Sequence, residues 1–388
     1  MCVCGPAGPW GKWGVMQDDI LKLAYEVSRV TEEKIDLIDG VTRQTTLLAI
    51  NARIEAARAG ASGAAFSVVA QEMGAVARDV SRISEDLRRA IGDNIERLEL
   101  VGSNLMTEFR GARFMDMALN AVEIIDRNLY ERSCDVRWWA TDSAVVDAAA
   151  DPSPRALSHA TQRLATILRS YTVYLDLWVA DRNGKVIATG RPERYPGAVG
   201  LDVSQSHWFR NAMTTASGDD FVVSDIEANP ALGGADVATY ATAIRTGGDA
   251  NGRRIGALGI FFDWRPQATT VVNGVSLTNE ERRYSRVLLL DAKHRVIAAS
   301  DGAEISAEPY HLRTEGKPRG FYLDGDVLVA FALTPGYETY AGLGWYGVIE
   351  CRAPAGGGAS ERRRRSVSTG AGGGTHPRIG APAFARGD

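Results

Sequence analysis

Apolar and small residues recur at steps of three or four along Ile20, Ala24, Val27, Thr31, Ile35, Ile38, Val41, Thr45 and Leu48, lining one face of a helix. A second series, Phe66, Val69, Met73, Val76, Val80, Ile83 and Leu87, alternates threes and fours as a coiled-coil seam does, and Leu98 and Leu105 extend it. Leu47 to Ala70 lies across the gap between the series. It is rich in small side chains and carries Glu55 and Arg58, where a long helix has room to reverse. Residues 16–106 are therefore expected to form an antiparallel helical hairpin, a coiled coil whose arms bury these stripes against each other. Pairing two hairpins into a four-helix bundle implies a homodimer. Another helix is expected from Arg113 through Phe114, Met117, Val122, Ile125 and Leu129 towards Trp138 and Trp139. The cluster Asp151-Pro152-Ser153-Pro154 breaks that pattern, and Ala156 to Leu168 resumes it.

Beyond Leu168 the pattern becomes strand-like. The run from Leu177 to Ala188, LWVADRNGKVIA, is echoed 110 residues later by VLLLDAKHRVIA from Val287 to Ala298. Asp181 matches Asp291, and each copy reads as a strand, a turn and a strand. Further strands are expected at 240–245 and 255–264 after the first copy, and at 327–334 and 346–350 after the second. Two related antiparallel modules, at about 170–265 and 285–351, account for this repeat. The expected fold is α+β: an N-terminal helical hairpin, then a long helix and two antiparallel α/β modules within residues 107–352. Residues 1–15 and 353–388 are expected to be disordered ends.

Composition narrows the function. The chain is 45% hydrophobic and 24% charged over 388 residues, which suits a globular protein of more than one unit. Its formal net charge of -4 offers polyanions no general attraction, so nucleic acid is set aside as a partner. The basic run Arg362 to Arg365 sits among Gly, Ser and Ala and reads as a solubilising tail. The longest apolar runs, such as Ile255 to Phe262, fall far short of the roughly 20 residues a membrane span needs. A soluble chain without a membrane span is expected. Cys2, Cys4, Cys134 and Cys351 show neither a disulfide framework nor metal-site spacing, which fits a reducing, cytoplasmic compartment. The histidines His159, His207, His294, His311 and His376 match no metal pair or nucleophile motif. No enzyme activity, metal or cofactor is expected.

Specific residues at the reversal carry more than periodicity does. Gln44-Thr45, Leu47-Leu48-Ala49-Ile50-Asn51-Ala52, Glu55-Ala56-Ala57-Arg58-Ala59-Gly60, Gly63, and Phe66 with Val68-Val69-Ala70 form one ungapped block. This block resembles the signalling tip of the methyl-accepting chemotaxis protein family. The resemblance implies docking to a chemotaxis coupling protein and a histidine kinase, with Gln44, Leu48, Asn51, Glu55, Arg58 and Val69 in or near those contacts. Where the family often has an alanine and a phenylalanine, this chain has Thr42 and Arg43, and Arg53 replaces a usual small residue. Added cations disfavour a trimer contact between dimers more than they disfavour kinase coupling.

The helix followed by two modules resembles the double Cache sensor domain, a PAS-like ligand-binding fold, over about Arg113 to Cys351. In that family the first module usually holds the ligand. The resemblance places a small molecule under 200–212, against His207, Trp208 and Phe209, with Asp225, Tyr240 and Thr242 adding polar contacts or serving the fold. Trp208 leans towards ligand, whereas Phe209 suits core and contact equally. Amino-acid-binding members carry an arginine and an aspartate where this chain has Ser206 and Phe261. A less charged or aromatic ligand follows. The whole then reads as a chemoreceptor-like transducer, the alternative being a ligand-binding sensor whose hairpin only dimerises.

Overall fold

The computed structural model describes residues 11–303, 305 and 308–352, and its contacts divide the chain between Arg110 and Gly111, against an expected boundary at residue 106. In the first unit, helix α1 (Gly11–Arg58) ends just before Gly60, which takes the left-handed conformation at φ +59°. Glycine accepts that conformation at a helix C-terminus, where a side chain would be strained. One 3-10 turn, Gly60–Gly63, closes the reversal, and helix α2 begins at Ala64. Gly63 lies so close to Ala56 that a Cβ would collide with the Ala56 carbonyl oxygen. Helix α1 begins inside the stretch expected to be disordered. The tail 353–388 with its Arg362 to Arg365 run, Cys2 and Cys4 lie outside the described residues.

The line buried between the arms differs from the expected one. Ile35, Thr42, Ala49 and Ala56 are buried on α1, and Gly63, Ala70, Ala77 and Ser84 are buried beyond it, each seven residues from the next. Seven residues are nearly two turns, so each set forms one stripe. The larger residues expected there, Phe66, Val69, Met73, Val76, Ile83 and Leu87, expose from 37% to 73% of their surface. Ile38, Val41 and Leu48 are exposed as well. Small side chains let two helices approach closely, and the bulky stripe is left facing outward. Arg88 ties the arms together, reaching Asp36 at 2.9 Å and Asp39 at 3.4 Å.

Helix α2 runs for 76 residues, Ala64–Trp139. The returning arm and the helix expected from Arg113 are thus one helix, because no proline interrupts 64–139 and the glycines within it lower helix propensity without breaking the ladder.

In the second unit, the last part of α2 is followed by α3 (Ser143–Ala150), capped by Asp142, and α4 (Pro154–Ser170), capped by Ser153 with Pro154 in its first turn. The first module comprises β1 (Tyr174–Asp181), β2 (Val186–Thr189), α5 (His207–Ala212), β3 (Val222–Asn229), β4 (Ala235–Arg245) and β5 (Arg254–Asp263). Helices α6 (Trp264–Gly274) and α7 (Asn279–Tyr284) lead to the second, with β6 (Ser285–Leu290), β7 (Val296–Ala299), β8 (Arg319–Asp324), β9 (Val327–Leu333) and β10 (Tyr346–Arg352). The five-stranded sheets share one order, β2-β1-β5-β4-β3 and β7-β6-β10-β9-β8, and are antiparallel throughout. These are the two PAS-like modules.

The repeat extends to atoms. One oxygen of Asp181 accepts from the amides of Asn183 and Lys185, and one oxygen of Asp291 accepts from those of Lys293 and Arg295. Elsewhere it inverts. Asp176 and Arg191 in the first module correspond to Arg286 and Asp301 in the second, which pair at 2.7 Å. One face of both sheets shares a core with α2, α3, α4 and α6 through residues such as Phe114, Leu129, Val136, Tyr240, Trp264 and Leu289. The opposite faces carry separate clusters, one around Trp178, Trp208 and Phe261, the other around Leu288, Phe331 and Val348.

Candidate functional site

At the hairpin tip, Gln44, Leu48, Asn51, Glu55, Arg58 and Val69 are all exposed. Glu55 and Arg58 meet at 3.3 Å with about three quarters of each side chain in solvent. A pair so exposed contributes about 0–1 kcal/mol to folding, so its value lies in what it presents. Leu48 and Val69 expose 61% and 58% of their surface. Arg43 and Arg53 are exposed too. Lower on the arms, Leu37, Ile38, Val41, Val76 and Val80 line an apolar groove of about 310 Å³.

In the first module, α5 lies over the sheet face away from α2. Trp208 and Phe209 are buried there, whereas His207 at the first turn of α5 is exposed. The Trp208 ring sits over Gly259 of β5, where a Cβ would lie 3.0 Å from it. Phe261 stands edge-on to Trp208 at 6.0 Å and tilts against Trp178 at 4.2 Å. Asp176 holds this corner. One of its oxygens accepts from Trp178 Nε1 at 3.0 Å, and the other accepts from the amides of Leu177, Gly190 and Arg191. Burial raises its pKa against the pull of those bonds.

The remaining candidates do not join them. Side chains alternate along β4, so Tyr240 and Thr242 project to the face opposite Ala241, which belongs to the Trp208 cluster. The Tyr240 hydroxyl lies 3.3 Å from that of Tyr340, and Thr242 donates to the Asp220 carbonyl at 2.7 Å. Asp225 accepts from Arg295 of the second module at 3.2 Å. Of the expected six, the structure brings together Trp208 and Phe209 inside the face, with His207 at its rim. Asp176, Trp178 and Gly259 belong to it and were not anticipated. Trp178 and Gly259 stood in segments already singled out, the internal repeat and the strand expected at 255–264, but nothing in one sequence shows which face each occupies.

Polar groups on α2 reach into both modules. Asp135 accepts from the Tyr174 hydroxyl at 2.5 Å and pairs with buried Arg132 at 3.4 Å. Asp126 accepts from the Thr334 hydroxyl and from the Gly336 amide at 2.8 Å. Burial raises both carboxyl groups above their usual range. Among the described residues, no group of three or more His, Cys, Asp and Glu side chains is placed to hold a metal ion. No described helix is long and apolar enough to cross a membrane, and Cys134 and Cys351 are free.

The hairpin thus combines a small-residue seam, an outward bulky stripe and an exposed tip block. Residues 15–126 match the family model of the methyl-accepting chemotaxis protein (MCP) signalling domain. The chain is 29% identical over 119 residues to the methyl-accepting chemotaxis aspartate transducer of Klebsiella aerogenes, a match that covers 30% of this chain and 22% of the relative. Methyl-accepting chemotaxis protein I of Escherichia coli is 33% identical over 96 residues, 24% of this chain and 17% of its own. The chain thus spans about a fifth of the length of these curated relatives. A ligand-binding domain of the Campylobacter jejuni chemoreceptor Tlp3, solved in complex with L-valine, aligns with 62% of this chain and 92% of its own at 18% identity and a TM-score of 0.42.

Proposed function

We propose that this protein is a chemoreceptor-like transducer that binds a small molecule on the α5 face of its first module and modulates a histidine kinase, through a coupling protein, with the tip of its hairpin. The exposed block from Gln44 to Val69, within the segment matching the MCP signalling domain, carries this reading. The outward stripe supports a homodimer, because a second hairpin would cover it and complete a four-helix bundle. A histidine kinase partner supports a cytoplasmic location. The ligand in this reading is less charged than an amino acid, or aromatic. Trp178, Trp208, Phe209 and Phe261 give that face its apolar aromatic surface, and the positions that hold a carboxylate and an ammonium in amino-acid-binding relatives are Ser206 and Phe261.

The test reconstitutes the full chain with a coupling protein and a chemotaxis histidine kinase and reads kinase autophosphorylation. Glu55→Ala and Arg58→Ala are expected to abolish modulation without altering the circular dichroism of the chain. Modulation that survives both substitutions refutes the tip assignment. A second reading, a binding protein whose hairpin only dimerises, is favoured by the exposed cations Arg43 and Arg53. It predicts no capture of the coupling protein. A thermal-shift screen of metabolites tests the sensor half, since a ligand at about 100 times its dissociation constant adds about 2.7 kcal/mol of stability.

A further inference from the structure

The two modules place a glycine on opposite faces of equivalent strands. In the first, Gly259 of β5 stands opposite Trp178 and underlies the Trp208 ring on the outer face. In the second, β10 takes the place of β5, and its glycine, Gly347, stands opposite Leu289, the counterpart of Val179. That is a shift of one residue. Because strand side chains alternate, one residue turns the close contact to the other face. Gly347 therefore meets α2, where a Cβ would collide with the Ala118 carbonyl. The first module keeps its close approach for the element covering the candidate ligand face, and the second keeps its own for the helix.

Seven residues before Ala118, Gly111 of α2 lies beneath the Phe321 ring of β8, and a Cβ there would overlap that ring. Seven residues return nearly to the same helix face. Between the two contacts Phe114 is fully buried, and Ala121 and Val122 follow at 1% exposure. Arg113 adds an ion pair to Glu281, whose own position is fixed by the capping box with Thr278 at the start of α7. Arg113 also reaches the Ser276 carbonyl at 3.4 Å.

The geometry points to the second module as the output grip of this chain. The contacts Gly111 with Phe321 and Ala118 with Gly347 interlock α2 with the sheet, so that the helix moves with the second module and cannot slide along it. A helix held by flexible side chains can shift as they change rotamer. One held ring against backbone and backbone against backbone cannot slip by a residue without overlap, because close-packed contacts have discrete arrangements. The word "output" rests on the signalling role proposed for the hairpin, whereas the grip itself does not.

The test uses the full chain and the variants Gly111→Ala, Phe321→Ala and the double. Hydrogen exchange read by mass spectrometry over residues 105–119 and over β8 is expected to rise about tenfold in Gly111→Ala, as overpacking of a tight contact opens it. Exchange in β4 and β5 stays unchanged. The double variant, with room made for the new methyl, falls back at least about threefold from the Gly111→Ala value. The grip is overturned if Gly111→Ala leaves exchange unaltered, or if the double is no better protected than the worse single variant. In the kinase assay Gly111→Ala alters modulation and the double recovers it. Exchange that responds while modulation does not removes the output role and leaves only a structural contact. A wild-type chain that never affects the kinase refutes the hairpin reading instead, and exchange alone then decides the grip.

Discussion

Ile83 separates the two helical stripes experimentally. It exposes 61% of its surface on α2, beside Ser84, which is 3% exposed in the seam between the arms. In a lone hairpin, Ile83→Ser loses only the roughly 40% of the side chain that is already covered and is expected to cost about 0.6–1.2 kcal/mol of folding stability. In a four-helix bundle the exposed part is covered. Full burial of an isoleucine stabilises by about 1.5–3 kcal/mol, and roughly 60% of it remains to be gained, so each copy loses about 1–2 kcal/mol. A two-fold dimer contains the change twice, which makes about 2–4 kcal/mol in all. At 1.4 kcal/mol per factor of ten, the dimer dissociation constant is expected to rise about 30- to 700-fold. Sedimentation velocity across a concentration series measures that constant. Thermal unfolding under fully dissociated conditions measures the hairpin itself. If the variant dimerises as tightly as the parent, or its monomer loses more than about 2 kcal/mol, the stripe is not the dimer face.

Gly63→Ala is expected to destabilise the hairpin by about 1–3 kcal/mol, since its Cβ meets the Ala56 carbonyl; an unchanged melting curve would contradict the tight turn. Asp176→Ala removes the side-chain acceptor of the Trp178 indole and of the Leu177 and Arg191 amides, while the Gly190 amide keeps the Leu177 carbonyl at 3.1 Å. At about 1–3 kcal/mol for each buried donor left bare, a loss of at least about 3 kcal/mol in urea unfolding is expected. The Asp126 carboxyl is raised by burial, against the Thr334 and Gly336 bonds and with help from Glu123. The folded state therefore binds this proton more tightly than the unfolded state. The stability it supplies is complete below pH 3.8 and is lost as pH rises through the raised value. Asp126→Asn does not titrate, so its stability relative to the parent is expected to improve from about pH 4 towards neutrality, and parallel pH profiles would rule this out.

Much of the architecture is legible in the residues. Steps of three and four announce the helices, the small residues before Ala64 announce the reversal, and the 110-residue echo announces two modules. What periodicity does not reveal is the partner of a stripe. The bulky series from Phe66 to Leu87 satisfies a coiled-coil pattern, and so does the small series Gly63, Ala70, Ala77 and Ser84 one phase away. Which of them lies between the arms depends on how closely two helices approach, a property of the pair. Strands β3 and β8 escape for another reason. As sheet edges with VVSDIEAN and RGFYLD, they mix exposed and half-buried residues and lack the apolar runs of β1 or β6. Tyr240 and Thr242 lie on the other sheet face through parity, since Tyr240 and Ala241 differ by one residue and face opposite ways.

The charge inversion between the modules bears on how the chain avoids misfolding. Tandem repeats of similar sequence invite strand exchange, in which one copy supplies an element to the other. Here β1 carries Asp176 and the residue just past β2 is Arg191, whereas β6 carries Arg286 and Asp301 lies just past β7. A sheet that paired β1 with β7 would bring Asp176 towards Asp301, and one that paired β6 with β2 would bring Arg286 towards Arg191. Each wrong assembly brings like charges towards each other, whereas in the second module's own assembly Arg286 and Asp301 pair at 2.7 Å. Like charge at these positions is thus expected to disfavour an exchange of strands between the two copies.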